Sequence, residues 1–137
     1  MSEFILDERL AASTVHALDL PLSRVLVMND ARWPWLILVP RRAGMVEMFD
    51  LEPADRMMLI EELAMAGKQL KALTGCHKIN IANLGNVVAQ LHIHVIARNP
   101  DDPADPAGNG PVWGKGEAIP YEPQALQDFV QAVVKMF

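Results

Sequence analysis

Six of the ten prolines and four of the eight glycines in this chain fall between residues 98 and 123. Proline fixes φ and removes a backbone donor, so a stretch this dense in it is neither helix nor interior strand. It reads as one long loop. Regular structure must come from the residues before it and from the segment after it, where Leu126, Phe129, Val130, Val133 and Phe137 mark an amphipathic helix from Glu122 to Met136.

Upstream, Asp7 to Leu18 carries Leu10, Ala11, Thr14, Val15 and Leu18 at helical spacing and is stopped by Pro21, which predicts a short opening helix. Arg24 to Met28 and Trp35 to Val39 read as two strands joined by a short loop. Pro53 suits a helix's first turn, with the boundary at Asp50 or Leu51. Leu59, Leu63, Ala66, Leu70 and Leu73 then continue at alternating three- and four-residue steps to a stop at Gly75. Lys78 to Ala82 reads as a third strand, Asn83 to Asn86 as a turn, and Val88 to Ala97 as a fourth strand. The pattern predicts an α+β fold, an antiparallel sheet of about five strands with helices on one side. No internal repeat is visible.

The chain of 137 residues is the length of one domain, and 51% hydrophobic against 21% charged residues excludes wholesale disorder. Twelve Lys plus Arg against 17 Asp plus Glu gives −5, which argues against broad nucleic-acid binding. The single Cys76 excludes an intramolecular disulfide and a cysteine zinc finger. The N-terminus has no basic region, and the apolar stretch Trp33 to Val39 contains Pro34, so neither a signal peptide nor a membrane span is expected. A soluble cytoplasmic protein is the default.

The chemically informative segment is Gln90-Leu91-His92-Ile93-His94-Val95-Ile96. Strand alternation sends Leu91, Ile93 and Val95 to one face, expected to be core, and Gln90, His92 and His94 to the other, expected to be polar. Two imidazoles on one face need partners or a ligand. A neutral histidine can attack phosphorus while its neighbour donates to phosphate oxygens at neutral pH. A His-x-His pair on a strand is also a common metal-ligand pair, but no third ligand recurs at telling spacing among His16, His77 and the carboxylates, and none is assigned.

This segment resembles the histidine-triad (HIT) superfamily of nucleotide hydrolases and transferases. The family motif is His-φ-His-φ-His-φ-φ, with φ apolar, preceded by a Gly-Gln-Ser/Thr-Val segment; here the region runs from Gly85-Asn86-Val87-Val88 through Gln90 to Ile96. The resemblance extends over Arg24 to Pro40, the long helix and Lys78 to Arg98. It implies a HIT-like fold and a homodimer with a shared sheet, to which the face Leu59, Leu63, Ala66 and Leu70 and the abundant methionine would contribute. It makes His92 the nucleophile that forms a nucleotidyl-histidine and His94 a phosphate ligand. Asn86 takes the place of the phosphate-contacting amide beside Gly85, Asn80 the polar residue near the ribose, and Asn29 or Asp30 the ribose-hydroxyl acceptor.

Three positions depart from the family pattern. Gln90 replaces the first histidine, Val87 a hydroxyl residue that serves the leaving group, and Trp35 a histidine common in relatives. Gln90 still offers a backbone carbonyl to orient His92. Loss of the hydroxyl favours substrates with good leaving groups. The implied activity is metal-independent hydrolysis of a nucleotide phosphoanhydride or phosphoramidate, with purine nucleotides as the substrate class and no cofactor. The alternatives are a nucleotide-binding module with little turnover and a metal-dependent or cupin-like His-x-His hydrolase.

Other residues receive plainer readings. Cys76 beside His77 is a buried thiol, because adjacent strand residues face opposite ways. Arg41-Arg42 is a solvated turn, Met57, Met58 and Met65 fill core or interface space, and Trp33 and Trp35 either wall a base pocket or cap the core. Trp113 or Lys115, in a loop too long to be idle, is expected to help close the pocket, from this subunit or its partner. The alternating Asp and Pro of Asp101 to Pro106 read as spacer.

Overall fold

The computed structural model describes residues 3–108 and 110–137. Among these residues nine elements follow in order: α1 (Glu8–Ser13), β1 (Thr14–Asp19), β2 (Ser23–Met28), β3 (Trp35–Pro40), a 3-10 turn (Met48–Asp50), α2 (Pro53–Thr74), β4 (Lys78–Ala82), β5 (Ile93–Arg98) and α3 (Pro123–Met136). The strands form one five-stranded sheet in the order β1-β2-β3-β5-β4, with every neighbouring pair antiparallel. This is the expected α+β architecture.

The opening helix is shorter than its spacing predicts. Ser13 and Thr14 turn their hydroxyls back onto the carbonyls of Arg9 and Leu10, at 3.1 and 2.7 Å, and Thr14 goes extended at φ −134°. Side chains that bond backward in this way compete with helix continuation. The β-branched pair Thr14-Val15 then enters the sheet, with Thr14 opposite Met28 and Asp19 opposite Arg24. The fifth strand therefore lies inside the predicted helix.

Strand β5 also begins later than expected, at Ile93 instead of Val88, and ends at Arg98. Residues 83–92 are irregular, and the Leu91 N–H is held by the Met45 carbonyl at 3.0 Å. The two-residue alternation survives the loss of strand structure. Leu91, Ile93, Val95 and Ala97 enter one core, while Ile96 enters another.

The first core lies between the sheet and the helices α2 and α3. Leu59, Leu63, Ala66 and Leu70 of α2 and Val130 and Val133 of α3 pack there against Val25, Leu36, Leu38 and Val95. Pro53 opens α2 and Gly75 closes it at φ 68°, the left-handed conformation that glycine adopts without a Cβ penalty. Because Leu59, Leu63, Ala66 and Leu70 are consumed by the chain's own core, they cannot form the face expected to meet a second subunit. Met57, Met58 and Met65 do not fill the core; they are exposed, as is Leu73. Buried Glu62 bonds the N–H groups of Leu22 and Ser23 at 2.8 and 2.9 Å, tying α2 to the β1–β2 turn.

The opposite face is not simply polar. Leu26, Trp33, Trp35, Ile37, Val39 and Ile96 form a second apolar cluster, roofed by Leu10, Val112 and the partly buried Phe4, Leu6 and Trp113. The roof is irregular chain fixed by ionic bonds. Arg98 reaches Asp102 at 2.8 Å and Asp105 at 3.0 Å, and its Nη1 donates to the Gly110 carbonyl at 2.7 Å. Asp102 and Asp105 are thus anchors and not spacer. Hydrogen bonding from the Gly110 N–H, with help from Lys115 and Arg98, holds the Asp105 carboxyl below its ordinary pKa against the opposing effect of burial.

Candidate functional site

The imidazoles of His92 and His94 are both buried, with centroids 5.0 Å apart and planes at 73°. They line one cavity of about 240 Å³ together with Asn86, Val87, Met28 and Trp113. Strand β5 carries His94, while His92 sits one residue before it, where the chain arrives from the Gly85 turn. Gly85 is required by space: a Cβ there would lie 2.9 Å from the Val88 carbonyl oxygen and 3.9 Å from His92 Cε1.

Each ring has its protons assigned by a neighbour. His92 Nδ1 lies 2.6 Å from the Gln90 carbonyl oxygen, and a carbonyl can only accept, so Nδ1 carries the hydrogen and Nε2 keeps a lone pair. For His94 the order is reversed. Trp35 Nε1–H donates to His94 Nδ1 at 3.1 Å, which makes Nδ1 the acceptor and leaves the hydrogen on Nε2. Burial, and then the nearby His92, push the His94 pKa down to about 4, with a Leu84 backbone bond working the other way. At neutral pH His94 is an uncharged donor beside the His92 ring.

Aromatic packing fixes this pair. Trp113 lies edge-on to His94 at 4.8 Å and to Trp35 at 5.8 Å, and Trp35 is edge-on to Trp33 at 6.4 Å. Trp33 and Trp35 belong to the second core, and Trp113 alone among the three tryptophans lines the cavity. Trp113 does so within its own chain. Lys115 instead pairs with Asp105 at 3.3 Å.

Other sequence-selected residues lie apart from the cavity. Asn29 Oδ1 accepts from the Tyr121 N–H at 2.9 Å. Asp30 is buried, accepts from the Arg32 side chain and backbone, and also receives the Ile119 N–H at 3.4 Å. Burial raises the Asp30 pKa, but the Arg32 bonds outweigh it and the net shift is downward. Asn80 accepts from Arg98 Nη1 at 3.1 Å and borders a separate hollow with His77 and Lys78. Both ends of the Gln90 side chain are engaged elsewhere: Oε1 accepts from the Asp7 N–H at 2.8 Å and Nε2 donates to the Ile5 carbonyl at 2.9 Å. Cys76 is buried, Arg42 pairs with Asp55, and Arg41 donates to the carbonyls of Leu20 and Pro21.

Arg9 is a cavity residue with no signal in the sequence pattern, since it stands alone in the first turn of α1. Among the described residues no group of three or more His, Cys, Asp or Glu is placed to hold a metal ion. No helix among them is long and apolar enough to cross a membrane.

A five-stranded antiparallel sheet flanked by helices, with a His-x-His pair at the start of a central strand, defines a histidine-motif α+β protein. The HIT domain matches residues 10–101, and the chain belongs to the HIT family. It is similar over 98% of its length to three solved histidine triad proteins. That of Sinorhizobium meliloti is 46% identical, covered over 97%, with TM-score 0.92. That of Bradyrhizobium japonicum is 41% identical, covered over 98%, with TM-score 0.93. That of Marinobacter aquaeolei is 39% identical, covered over 96%, with TM-score 0.93. No curated protein matched the chain. Family membership points to nucleotide binding or hydrolysis as the general class of activity.

Proposed function

We propose that this protein hydrolyses nucleotide phosphoanhydrides or phosphoramidates, of the dinucleoside polyphosphate or nucleoside phosphoramidate type, through a covalent nucleotidyl-His92. The observation that carries this reading is the 2.6 Å contact between His92 Nδ1 and the Gln90 carbonyl. It aims a lone pair on Nε2 and stabilises the positive charge that the ring acquires on attack.

In the first step the Nε2 lone pair forms a bond to the α-phosphorus, and the bond to the leaving oxygen or nitrogen breaks, its electron pair departing with the leaving group. A leaving nitrogen or alkoxide takes a proton from solvent, while a leaving phosphate departs as an anion. His94 Nε2–H, exchanging the Leu84 carbonyl for substrate, and the Asn86 amide hold the nonbridging oxygens. In the second step water attacks the phosphorus, the phosphorus–nitrogen bond breaks, and nucleoside monophosphate, a proton and free His92 result. We place the ribose on the Asn29 side, because Asn29, though outside the cavity lining, adjoins Met28, which is in it, and assign Asp30 and Asn80 to holding the surrounding chain. Purine nucleotides are the proposed substrate class, since Trp113 offers an aromatic edge to the base. No metal or cofactor takes part in this scheme. A homodimer built on the β4 edge and the exposed Met57, Met58 and Met65, in the cytoplasm, completes the reading.

A nucleotide-binding module with little turnover is the second reading, favoured by one observation: Val87, 78% exposed and lining the cavity, has no proton to give a leaving group. Acid-labile labelling with a nucleotide radioactive at the α-phosphate separates the two. Wild type takes label, His92→Ala takes none, and His94→Ala takes less. Tight nucleotide binding by an unlabelled wild type establishes the module, and activity abolished by a chelator establishes a metal-dependent enzyme.

A further inference from the structure

Among the described residues, Arg9 is the only ionisable side chain lining the cavity apart from the two imidazoles. With His94 uncharged at neutral pH, a polyphosphate entering there meets one permanent cation. That cation is held in place from three directions. Its Nε and Nη2 bond the Asp7 carboxylate at 3.3 and 3.2 Å, and its Nη1 donates to the Val87 carbonyl at 2.8 Å. A guanidinium has five N–H donors, so one hydrogen on each terminal nitrogen is left for a ligand. The side chain is 60% exposed, so these donors meet solvent and can exchange it for an anion.

The segment carrying Arg9 is itself fastened to the site by Gln90. The backbone carbonyl of Gln90 orients His92, while its side-chain amide bonds Ile5 and Asp7, more than 80 positions away in sequence. One residue therefore sets both the direction of the nucleophile and the location of the cation. The guanidinium lies against Val87, on the cavity wall that also contains Asn86 and His92.

We propose that Arg9 is a specificity-determining residue that binds the phosphate chain of the leaving group, so that the protein favours substrates whose leaving group departs as a phosphate anion over those that release an amine. This rests on the hydrolase reading above and names its substrate class. Negative charge grows on the bridging oxygen as its bond to the α-phosphorus breaks, and a fixed guanidinium beside it stabilises that transition state more than the ground state. A departing amine offers no such charge. Gln90 acts here as a positioning residue, through the segment it holds.

The test compares kcat/KM for diadenosine tetraphosphate and adenosine 5′-phosphoramidate, using the full chain as wild type, Arg9→Gln, Arg9→Lys and Gln90→Leu. The polyphosphate-to-phosphoramidate ratio is expected to fall about 10- to 100-fold in Arg9→Gln, the effect of removing one donor to a developing anion. It should recover in part in Arg9→Lys and fall less in Gln90→Leu, which keeps the backbone carbonyl on His92. Added salt should lower the wild-type ratio and leave that of Arg9→Gln flat. An unchanged ratio in Arg9→Gln, an equal loss on both substrates, or a lysine variant no better than glutamine overturns the assignment while leaving the hydrolase reading intact. Wild type inert on both substrates and unlabelled by either overturns the hydrolase reading, and this one with it.

Discussion

On the side of the sheet covered by α2 and α3, cohesion comes from aliphatic side chains such as Leu59, Leu63 and Val133, none of which needs a partner at a particular angle. On the other side Trp33, Trp35 and Ile96 are roofed by irregular chain that Arg98, Asp30 and Gln90 hold through directed bonds. Arg32 and Arg98 add cation–π contacts to Trp33 at 4.7 and 5.5 Å. The helix side gives the fold its stability at low informational cost, and the loop side holds the histidines in one arrangement. A site that must fix two ring tautomers is better served by bonds that specify direction than by packing that only specifies volume.

This contrast can be broken by cutting one bond set on each side. Arg98→Met leaves buried Asp102 without its ion-pair partner and Asp105 with Lys115 and the Gly110 N–H alone, and should cost about 3–5 kcal/mol in urea unfolding, with faster proteolysis within residues 98–122. Proteolysis unchanged from wild type would mean that the roof is not held by this residue. Leu59→Ala, on the helix side, should cost about 2–5 kcal/mol and lower the melting temperature while leaving the affinity for nucleotide where it was. A change in affinity comparable to that in stability would erase the distinction between the two sides.

Acid sharpens the comparison, because the titratable group with the large shift is on the loop side. His94 has a pKa of about 4 against an ordinary 6.5. Between those values the unfolded chain binds a proton that the folded chain refuses. Stability from this group is therefore full above pH 6.5 and is lost as pH falls toward 4, up to about 3 kcal/mol. Asp30 and Asp105, whose pKa values are lowered in the fold, contribute stability above the ordinary carboxylate range that disappears at still lower pH. Denaturant midpoints across pH 4 to 7 should show the slope in wild type and lose most of it in His94→Phe. The smallest effect belongs to Gln90→Leu. It removes two backbone-to-amide bonds for about 1–3 kcal/mol in total, and hydrogen exchange at residues 5–10 should accelerate before exchange in α2 does.

The sequence showed the helix side well because apolar periodicity is local: Leu59, Leu63, Ala66 and Leu70 announce α2 without knowledge of what they touch. The histidine pair was legible for the same reason, since two-residue spacing sends His92 and His94 to one side whether or not His92 lies within a strand. Strand β1 was not legible, because Val15 and Leu18 fit a helical stripe as well as a strand, and the decision rests with the Ser13 and Thr14 hydroxyls. The roof was invisible to periodicity. Arg98 finds Asp102 and Asp105 only once the proline turns have folded, and Gln90 finds Ile5 and Asp7 across most of the chain. Arg9 carries no sequence signal because its place depends on that last pair of bonds.

The indole bond from Trp35 to His94 makes the site its own optical reporter. When His94 takes a second proton, its Nδ1 ceases to be an acceptor and a cationic ring stands 5.7 Å from the indole, where it quenches excited-state emission. Trp113 lies against the same imidazole, so the intrinsic fluorescence of this protein should register both the charge state of His94 and the arrival of a nucleotide, with no label attached.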